Sequence, residues 1–566
     1  MVDQKPWLKF YPKEIPASIS YDEKPLYAFL EEAALMYKEK KALHFMGKEL
    51  SFEEVFKQAK QMANFLQYVG VQKGDRVAIM LPNSPQSVIS YYGALMAGAT
   101  VVQVNPLYKE RELAYQLNDS GAVVLICLDM LLPTVTAVRP DTSLKQLIVT
   151  GVKDYLPFPK NVIYPFIQKK QTNVVIDLEE TDDTHSWKEI MKNSSAEYKE
   201  IAIDPKEDLA LLQYTGGTTG YPKGVKLTHY NLVANVQMIQ AWIYKSKPGE
   251  EIVLGILPFF HVYGMTAVMN LSIMFGSKMI LLPKFDAQEM LKTIDKLKPT
   301  IFPGAPTIYV GLLNHPNLHK YDLSSIEACI SGSAPLPREV QDKFEEVTGG
   351  KLVEGYGLSE TSPITHANFV WDKRINGSIG VPWPDTDAKI VDMETMEEAK
   401  IGEVGELAVK GPQVMKGYWN RPDETENVLK DGWLFTGDLG YMDENGYFYI
   451  VDRKKDVIIA GGYNIYPREV EEVLYEHEAV MEAAVVGIPD AYRGETVKAY
   501  IVLKEGHHVT EEELNTFCRK NLAAYKVPRK YEFRQELPKT TVGKILRRQL
   551  VDEERQRGSQ EAKANL

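Results

Sequence analysis

The chain has 566 residues, of which 44% are hydrophobic and 25% are charged, as expected for a globular protein with several packing units. A net charge of −12 excludes a general attraction to nucleic acid or to anionic lipid, which would need a concentrated basic surface. Cys127, Cys329 and Cys518 lie far apart without metal-ligand spacing, which predicts a reducing, cytoplasmic setting with neither a disulfide framework nor a zinc site.

The first part of the chain alternates amphipathic helices with apolar strands. SFEEVFKQAKQMANFLQYVG starts with Ser51 and Glu54 in a capping-box relation, which predicts a helix that ends at Gly70. Strand RVAIML follows, and Ser84 with Pro85 suits the cap and first turn of the next helix. Strands TVVQV and VVLIC flank another helix, RELAYQLNDSG. This order predicts an α/β fold with helix-covered parallel sheets, in which ligands bind at the carboxyl ends of the strands.

Two segments interrupt this alternation. Residues 152–200 are rich in Lys, Asp, Thr and Pro without sustained periodicity, which predicts a surface insertion or a long loop. Residues 253–275 form an apolar run long enough to raise the question of a membrane span. Because polar residues, a proline and glycines break the run, a buried strand followed by a buried helix is favoured.

The rest of the chain changes character twice. From about residue 380 to 450, short strand-like stretches broken by Gly, Pro and Asp predict a small β-rich unit. After it, helix PREVEEVLYEH, strands EAAVVGI and VKAYIVL, a helix capped by Thr510 and strand KYEFR predict a separate domain. The polar residues 552–566 are predicted to fray. We therefore divide the chain into an N-terminal domain, 1–452, and a C-terminal domain, 453–566.

The stretch YTGGTTGYPKGV lies between two predicted strands. A P-loop would place its lysine directly before Ser or Thr at the start of a helix. Lys223 is instead followed by Gly224 and the strand-like VKL, and only Thr228 is suited to cap a helix. Glycine permits close backbone approach, threonine offers hydroxyl donors and lysine adds charge, which together favour a phosphate-binding loop. An ordinary glycine-rich turn is the alternative from these residues alone.

Further polar, glycine-rich clusters follow apolar runs along the chain. They are LPFFHVYG, SGSAPL, EGYGLSETS, GWLFTGDLG, DRKKDVIIAGGYNIYPREVEE and PKTTVGKILRR. In this order and spacing they resemble the core motifs of the adenylate-forming enzymes, which include acyl-CoA synthetases, luciferases and peptide-synthetase adenylation domains. WLKFYPKEIP and VNPLYKERELAYQLNDSGA are similar to bacterial long-chain fatty-acyl-CoA synthetases in particular. The resemblance implies two helix-covered sheet subdomains and a small β-barrel-like unit, followed by a small mobile α+β C-terminal domain.

The resemblance also implies a ligase reaction. A long-chain fatty acid would react with ATP to give acyl-AMP and pyrophosphate, and CoA would then accept the acyl group, with Mg²⁺ as the metal ion. FFHVYG offers no carboxylate for an amino-acid ammonium, so an uncharged tail is favoured. Tyr263, Gly264 and Met265 stand where some long-chain relatives have a gating tryptophan, so medium-chain and aryl acids stay open. A fatty acyl-AMP ligase that loads a carrier protein and a non-catalytic sensor are further alternatives.

The same resemblance assigns residues to the nucleotide and the metal ion. Thr218 and Glu360 would hold Mg²⁺, a hard cation that prefers oxygen ligands. Tyr356 would stack on adenine, and Asp438 would accept hydrogen bonds from the ribose hydroxyls. The nucleotide-binding set is Thr215, Gly216, Gly217, Thr218, Thr219, Gly220, Gly332, Ala334, Pro335, Gly355, Tyr356, Gly357, Thr361, Asp438, Arg453 and Lys544.

Three residues are assigned to catalysis and three to the second step. Lys223 would contact the β- and γ-phosphates, and Lys544 would neutralise charge as the carboxylate meets the α-phosphate. His261 would gate or orient the acid, with a core histidine as the alternative. The residues assigned to the hinge and to CoA are Lys455, Gly461 and Gly462.

The expected partners are small molecules. Fatty acid, ATP and CoA are expected to bind, whereas nucleic acid is not. Weak peripheral association with the inner face of the cell membrane and a homodimer are left open.

Overall fold

The computed structural model describes residues 5–172, 180–215, 222–460, 463–490, 493–540 and 543–564. The strands in chain order are β1 Lys41–Phe45, β2 Lys48–Ser51, β3 Arg76–Met80, β4 Thr100–Gln103, β5 Val124–Leu128, β6 Gln146–Thr150, β7 Thr184–Ser186, β8 Leu209–Thr215, β9 Lys223–Thr228, β10 Ile252–Gly255, β11 Lys278–Leu281, β12 Ala328–Ser331, β13 Lys351–Gly357, β14 Ile364–Ala367, β15 Val381–Pro382, β16 Asp387–Val391, β17 Gly405–Lys410, β18 Leu429–Lys430, β19 Trp433–Met442, β20 Phe448–Arg453, β21 Ile458–Ala460, β22 Tyr463–Ile465, β23 Val480–Asp490, β24 Gly494–Leu503 and β25 Lys530–Arg534. The helices are α1 Ala28–Met36, α2 Phe52–Tyr68, α3 Pro85–Met96, α4 Glu110–Ser120, α5 Leu132–Val138, α6 Lys160–Thr172, α7 Trp187–Asn193, α8 His229–Trp242, α9 Val262–Gly264, α10 Leu271–Phe275, α11 Ala287–Leu297, α12 Pro306–Leu313, α13 Arg338–Thr348, α14 Pro422–Val428, α15 Pro467–Tyr475, α16 Glu511–Asn521 and α17 Arg547–Ala564.

The chain groups into two compact units. The larger contains Trp7–Asp387 and Lys410–Leu434, and the smaller contains Ala388–Val409 and Phe435–Leu566. Most of the predicted β-rich unit therefore groups with the C-terminal residues. The predicted domain boundary at residue 452 describes a hinge position, which this grouping does not test, so it stays a prediction.

The larger unit is built on two sheets. The first has the strand order β7-β6-β5-β3-β4-β8-β9 and is parallel except for β9, which runs antiparallel to β8. In the second, β2-β1-β11-β10 continues through a bridge at Ile301 into β12-β13-β14-β15. Helix residues such as Leu113 and Leu291 pack with buried strand residues on these sheets. The predicted α/β fold with helix-covered parallel sheets is confirmed.

Local sequence signals explain where these helices begin. The Ser51 hydroxyl accepts a hydrogen bond from the Glu54 N–H at 3.1 Å, and the Glu54 carboxylate accepts one from the Ser51 N–H at 2.7 Å. This pair of bonds confirms the capping box. Ser84 caps α3 with Pro85 in its first turn, and Thr228 caps α8. β8 and β9 flank the glycine-rich loop, so the predicted strand-loop-strand arrangement is confirmed.

The expectation of a loop over residues 152–200 is wrong in part. α6 and α7 form there, and β7 adds a parallel edge strand to the first sheet. Trp187 and Ile190 of α7 are buried, although the helix is too short to show a clear period. The apolar residues of α6 face outward and Pro165 lies inside the helix, so its sequence lacks the usual signature of a surface helix.

The apolar run over residues 253–275 folds as a strand followed by a helix. β10 leads to α9, a wider π-helical turn over Met265–Asn270, and α10. Nearly all of these residues are buried, as predicted. Within the described part of the chain, none of the helices combines the length and apolar character needed to span a membrane.

In its described residues, the smaller unit contains two sheets and three helices. β16, β17, β19 and β20 form one sheet, and β22-β21-β24-β23 with β25 forms the other. The predicted C-terminal strands and helices are all present, including the Thr510 cap. The expectation that residues 552–566 fray is wrong for the described part, because α17 continues through them and Glu554 pairs with the buried Lys498 at 2.8 Å.

Candidate active site

Three predicted motifs meet at one edge of the second sheet. β10, β12 and β13 run in the same direction, so LPFFHVYG, SGSAPL and LSETS follow their strands at the same edge. The Tyr263 hydroxyl donates to the Ile330 carbonyl at 2.6 Å. A Cβ at Gly332 would lie 3.0 Å from the Tyr263 ring, so glycine allows the ring to pack against the SGSAPL backbone. Each of these motifs follows an apolar strand, as the sequence indicated, and the strand order shows that they share one edge.

Two buried amides hold the LPFFHVYG segment in place. Gln213, near the end of β8, donates from Nε2 to the Phe260 carbonyl at 3.0 Å. Asn83 accepts from the Phe259 N–H at 2.9 Å and donates to two carbonyls of the preceding turn. These contacts connect the phosphate-loop strand and the start of α3 to the segment that contains His261.

His261 is half-buried at the start of α9. Its Nδ1 accepts a hydrogen bond from the Tyr263 N–H at 3.3 Å, so the imidazole caps this short helix. The cap gives His261 a structural role. Its role as a gate for the acid stays a prediction.

Lys223 is the first residue of β9 and lies in a small charged cluster. It forms an ion pair with Glu424 of α14, and its ammonium lies 4.9 Å from the centroid of the Tyr418 ring. The Tyr418 hydroxyl donates to Glu360 at 2.8 Å. Burial and the Glu360 carboxylate raise the pKa of Tyr418, so the phenol stays protonated and remains a donor. The loop lysine and the predicted metal ligand therefore contact the same aromatic ring.

Glu360 fits the predicted role of a magnesium ligand. Its carboxylate has several lone pairs, and among the residues that the structure describes Tyr418 donates a hydrogen bond to one of its two oxygens. Mg²⁺ is commonly held by one or two carboxylates together with substrate phosphates. This mode is compatible with the absence, among the described residues, of a cluster of three or more His, Cys, Asp or Glu that could hold a metal.

Tyr356 lies on β13 between Gly355 and Gly357. Its ring meets the buried His366 edge to face, with 5.9 Å between the centroids. Burial lowers the pKa of His366 to about 3, so the imidazole is neutral at physiological pH and supports the ring without charge. A Cβ at Gly357 would lie 2.0 Å from the Pro363 carbonyl oxygen, so only glycine fits this approach.

The other predicted nucleotide residues of the larger unit have varied positions. Thr361 is buried, and its hydroxyl donates to the Leu358 carbonyl at 3.1 Å within its own turn. Ala334 is half-buried, Pro335 is exposed, and Thr215 ends β8. Their contacts with nucleotide stay predictions. Seven predicted residues lie outside the described residues: Gly216, Gly217, Thr218, Thr219, Gly220, Gly461 and Gly462.

Asp438 and Arg453 face each other across two strands of the smaller unit. The register of β19 and β20 places them directly opposite, and Arg453 Nε lies 3.1 Å from Asp438 Oδ1. Asp438 is buried, whereas Arg453 is half-buried. The sequence predicted both residues from separate motifs, and the strand pairing explains why they lie side by side.

Lys544 lies in a turn fixed by backbone contacts. Lys539 and Ile545 form an antiparallel bridge at its base. The Lys544 N–H donates to Thr540 Oγ1 at 3.1 Å, and the Thr540 N–H donates to the Lys544 carbonyl at 2.8 Å. The backbone at Lys544 is therefore held from both sides.

The Lys544 ammonium has an unusual electrostatic environment. Burial lowers the pKa of Lys544 to about 8, and the Arg453 guanidinium adds to this effect. Asp438 acts in the opposite direction. Shifted pKa values of this kind are common in functional sites. The smaller unit thus brings Asp438, Arg453 and Lys544 together.

A second charged cluster supports the turn after β20. Arg547 forms ion pairs with Glu471 and Asp456. Burial raises the pKa of Asp452 to about 6, although its carboxylate accepts from the backbone N–H of Arg468 at 2.8 Å. The exposed Lys455 lies in this turn. Its hinge role stays a prediction.

Family comparisons agree with this geometry. Residues 30–419 match the family described as AMP-binding enzyme, and residues 469–544 match the AMP-binding enzyme C-terminal domain. The first match alone spans more than half of the chain.

The chain belongs to the AMP-binding enzyme family. This confirms the resemblance drawn from the sequence motifs.

Individual relatives match this AMP-binding enzyme over nearly its whole length. The chain is 61% identical to a long-chain-fatty-acid–CoA ligase of Bacillus subtilis, and the match covers 98% of this chain and 99% of the relative. It is 41% identical to the ligase of the same name from Salmonella typhimurium, with 98% and 99% coverage.

Solved structures show the same fold. The anthranilate CoA ligase AuaEII in complex with anthranoyl-AMP matches with a TM-score of 0.84 and 28% identity, covering 98% of this chain and all of that chain. ATP-bound MatB from Rhodopseudomonas palustris matches with a TM-score of 0.82 and 30% identity, covering 94% and 98%.

Several residues of the AMP-binding enzyme site were not predicted from sequence. Asn83 precedes the Ser84 cap, where a polar residue gives no further signal. Tyr418 and Glu424 stand in KGYWNRPDET, which reads as an ordinary turn next to short strands. Only the fold shows that this turn lies against Lys223 and Glu360.

Proposed function

We propose that this AMP-binding enzyme activates a long-chain fatty acid and transfers it to CoA. The acid and ATP would give acyl-AMP and pyrophosphate, and the CoA thiol would then displace AMP to give acyl-CoA. The observation that carries the proposal is the 61% identity, over 98% of the chain, to the Bacillus subtilis ligase.

The larger unit supplies groups suited to the phosphates. Lys223 can exchange its contact with Glu424 for a contact with the β- and γ-phosphates, which present more negative charge. We propose that Mg²⁺ is held by Glu360 and Thr218, where it would neutralise phosphate charge. The Tyr418 hydroxyl would orient Glu360 for that purpose.

The same unit supplies a platform for the base and the acyl chain. Tyr356, supported by neutral His366, presents an aromatic face for adenine. The buried apolar LPFFHVYG segment offers no carboxylate, which suits an uncharged acyl tail. Gln213 and Asn83 would keep this segment in position while the acid binds.

The smaller unit supplies the groups for acyl-AMP formation. Asp438 would accept hydrogen bonds from the ribose hydroxyls, and Arg453 would hold this carboxylate in place. Lys544 would approach the acid carboxylate and the α-phosphate, because two anions must meet there. A pKa of about 8 keeps most of its ammonium protonated at neutral pH.

The second step would use other parts of the smaller unit. We propose that Lys455 marks a hinge between the domains 1–452 and 453–566, and that rotation withdraws Lys544 after the first step. Gly461 and Gly462 would then leave room for the pantetheine arm of CoA. The motif resemblance supports this assignment.

Assembly and location are also proposals. The three cysteines are free and buried, which supports the cytoplasmic setting expected from their spacing. Weak association with the inner face of the cell membrane suits an enzyme whose substrate partitions into lipid. A homodimer is also proposed, as the assembly that the sequence left open.

One assay tests the proposed reaction. ATP–pyrophosphate exchange is measured with the purified chain and acids from butyrate to stearate, and acyl-CoA is then measured after CoA is added. We expect the strongest exchange with long-chain acids and a CoA thioester product. Exchange without acyl-CoA would favour a carrier-loading ligase, and preference for short or aryl acids would contradict the proposed substrate.

A further inference from the structure

An exposed apolar stripe runs along α6 and includes Phe158, which lies two residues before the helix. Phe158 and Phe166 are 82% and 72% exposed, and Val162, Ile163 and Ile167 are about half exposed. On the helix, spacings of three and four residues place such side chains on one face. Single exposed apolar residues are common, whereas a contiguous stripe marks an interaction surface.

The opposite side of α6 is attached to the larger unit. Gln168 donates to Asp129 at 2.9 Å, and Tyr164 is half-buried. At the start of the helix, Lys160 donates to the Met46 carbonyl at 2.9 Å. These contacts fix the orientation of α6, and the apolar stripe therefore faces outward.

Lysines border both ends of the stripe. Lys160 begins α6, and Lys169 and Lys170 follow Phe166 by three and four residues on the exposed side. Residues 152–172 contain four lysines and one aspartate, although the whole chain has a net charge of −12. The exposed side of α6 itself is therefore basic, although the acidic residues Glu180, Asp182 and Asp183 follow along the chain.

We propose that the α6 stripe docks this enzyme on an anionic lipid surface. An amphipathic helix with aromatic residues on its apolar face and lysines at its border lies well in the headgroup region of a bilayer. Anionic headgroups attract the lysines, which are long enough to reach them while the phenylalanines insert. Docking of two copies through this face would bring like charges together, which favours lipid over self-association.

The docking surface rests on the proposed function, because it would deliver the enzyme to the phase that holds its long-chain substrate. The net charge of −12 excludes a general attraction of the whole protein to anionic lipid, but it does not prevent a local attraction through the lysines of α6. The aromatic side chains would supply most of the attraction, and the lysines would select the anionic surface.

Vesicle flotation tests the proposal. The purified full chain is mixed with vesicles of phosphatidylcholine, or of equal parts phosphatidylcholine and phosphatidylglycerol, without fatty acid. We expect binding to the anionic vesicles that weakens as salt is added. The double variant Phe158→Ser with Phe166→Ser should lose about tenfold in partitioning to both vesicle types. Lys169→Gln with Lys170→Gln should lose about tenfold on the anionic vesicles only.

Matched controls make the result specific. Leu35→Ser with Met36→Ser removes a pair of comparable exposure, 78% and 72%, from α1, and should bind like the parent protein. ATP–pyrophosphate exchange with palmitate in detergent micelles should be unchanged in all these variants. If the parent protein shows no ATP–pyrophosphate exchange, that result counts against the proposed function. It leaves the docking surface untouched, because vesicle binding is measured without substrate.

Three results would overturn the docking surface. The first is the absence of parent-protein binding to the anionic vesicles. The second is equal binding by the phenylalanine variant and the parent protein. The third is a dimer, measured by sedimentation, that the phenylalanine substitutions dissociate without affecting flotation.

Discussion

At the scale of single residues, the Lys223 ammonium is paired with a carboxylate of its own chain. Its ammonium is held by Glu424 and lies over the Tyr418 ring. In the proposed function Lys223 contacts the triphosphate, and the carboxylate of Glu424 would compete for its ammonium. The pair is partly exposed, with 21% and 38% of the two side chains accessible, so the competition is moderate.

Substitution of Glu424 tests this competition. In Glu424→Gln, Lys223 loses its anionic partner, so we expect the KM for ATP to fall about two- to fivefold. Glu426→Gln, on the exposed side of the same helix, is the control and should leave the KM unchanged. A higher KM in Glu424→Gln would mean that the carboxylate positions Lys223 for ATP instead of competing with it.

The chemistry of the site residues was predictable to different degrees. Lys223 and Asp438 stand in motifs whose residue types already suit phosphate and ribose. Glu424 carried no such signal, because its contact with Lys223 depends on the tertiary fold. The same holds for Asn83, whose three hydrogen bonds, one with β10 and two with the LPFFHVYG segment, connect parts of the chain that are distant in sequence.

At the scale of helices and strands, the C-terminal helix shows what local pattern misses. The polar sequence of α17 predicted fraying, yet Glu554 pairs with Lys498 on β24. Lys498 also pairs with Glu532 on β25 at 2.7 Å. Hydrogen bonds from Arg557, Lys498 and Arg534 outweigh burial and lower the pKa of Glu532 to about 2. In contrast, α2 and α3 were predictable because their caps and apolar faces are local.

Removal of Lys498 should loosen this part of the smaller unit. Lys498→Ala removes the buried cation between Glu532 and Glu554 and leaves the exposed Arg557 as their shared partner, which we expect to cost roughly 3 kcal/mol. Amide hydrogen exchange in β24 of the full chain should then speed up by about a hundredfold. Lys504→Ala, at an exposed position just after β24, is the control. Equal protection in both variants would show that the ion pairs contribute little.

At the scale of the whole molecule, the predicted site residues are divided between two compact units. Lys223, Tyr418 and Glu360 belong to the larger unit, whereas Asp438 and Lys544 belong to the smaller one. The sequence predicted two domains from the change in pattern near residue 450. It could not predict that β16 and β17 group with the C-terminal residues, because that grouping depends on long-range strand pairing.

The division between units supports a two-step reaction in which Lys544 serves only the first step. Lys544→Ala tests this claim most directly, with Lys530→Ala, an exposed lysine of the same unit, as the control. We predict at least a hundredfold loss of ATP–pyrophosphate exchange with palmitate, because the meeting of two anions loses its cation. Acyl-CoA formation from supplied palmitoyl-AMP should stay close to that of the parent protein. Equal loss in both half-reactions, or unchanged exchange, would contradict the assigned role of Lys544.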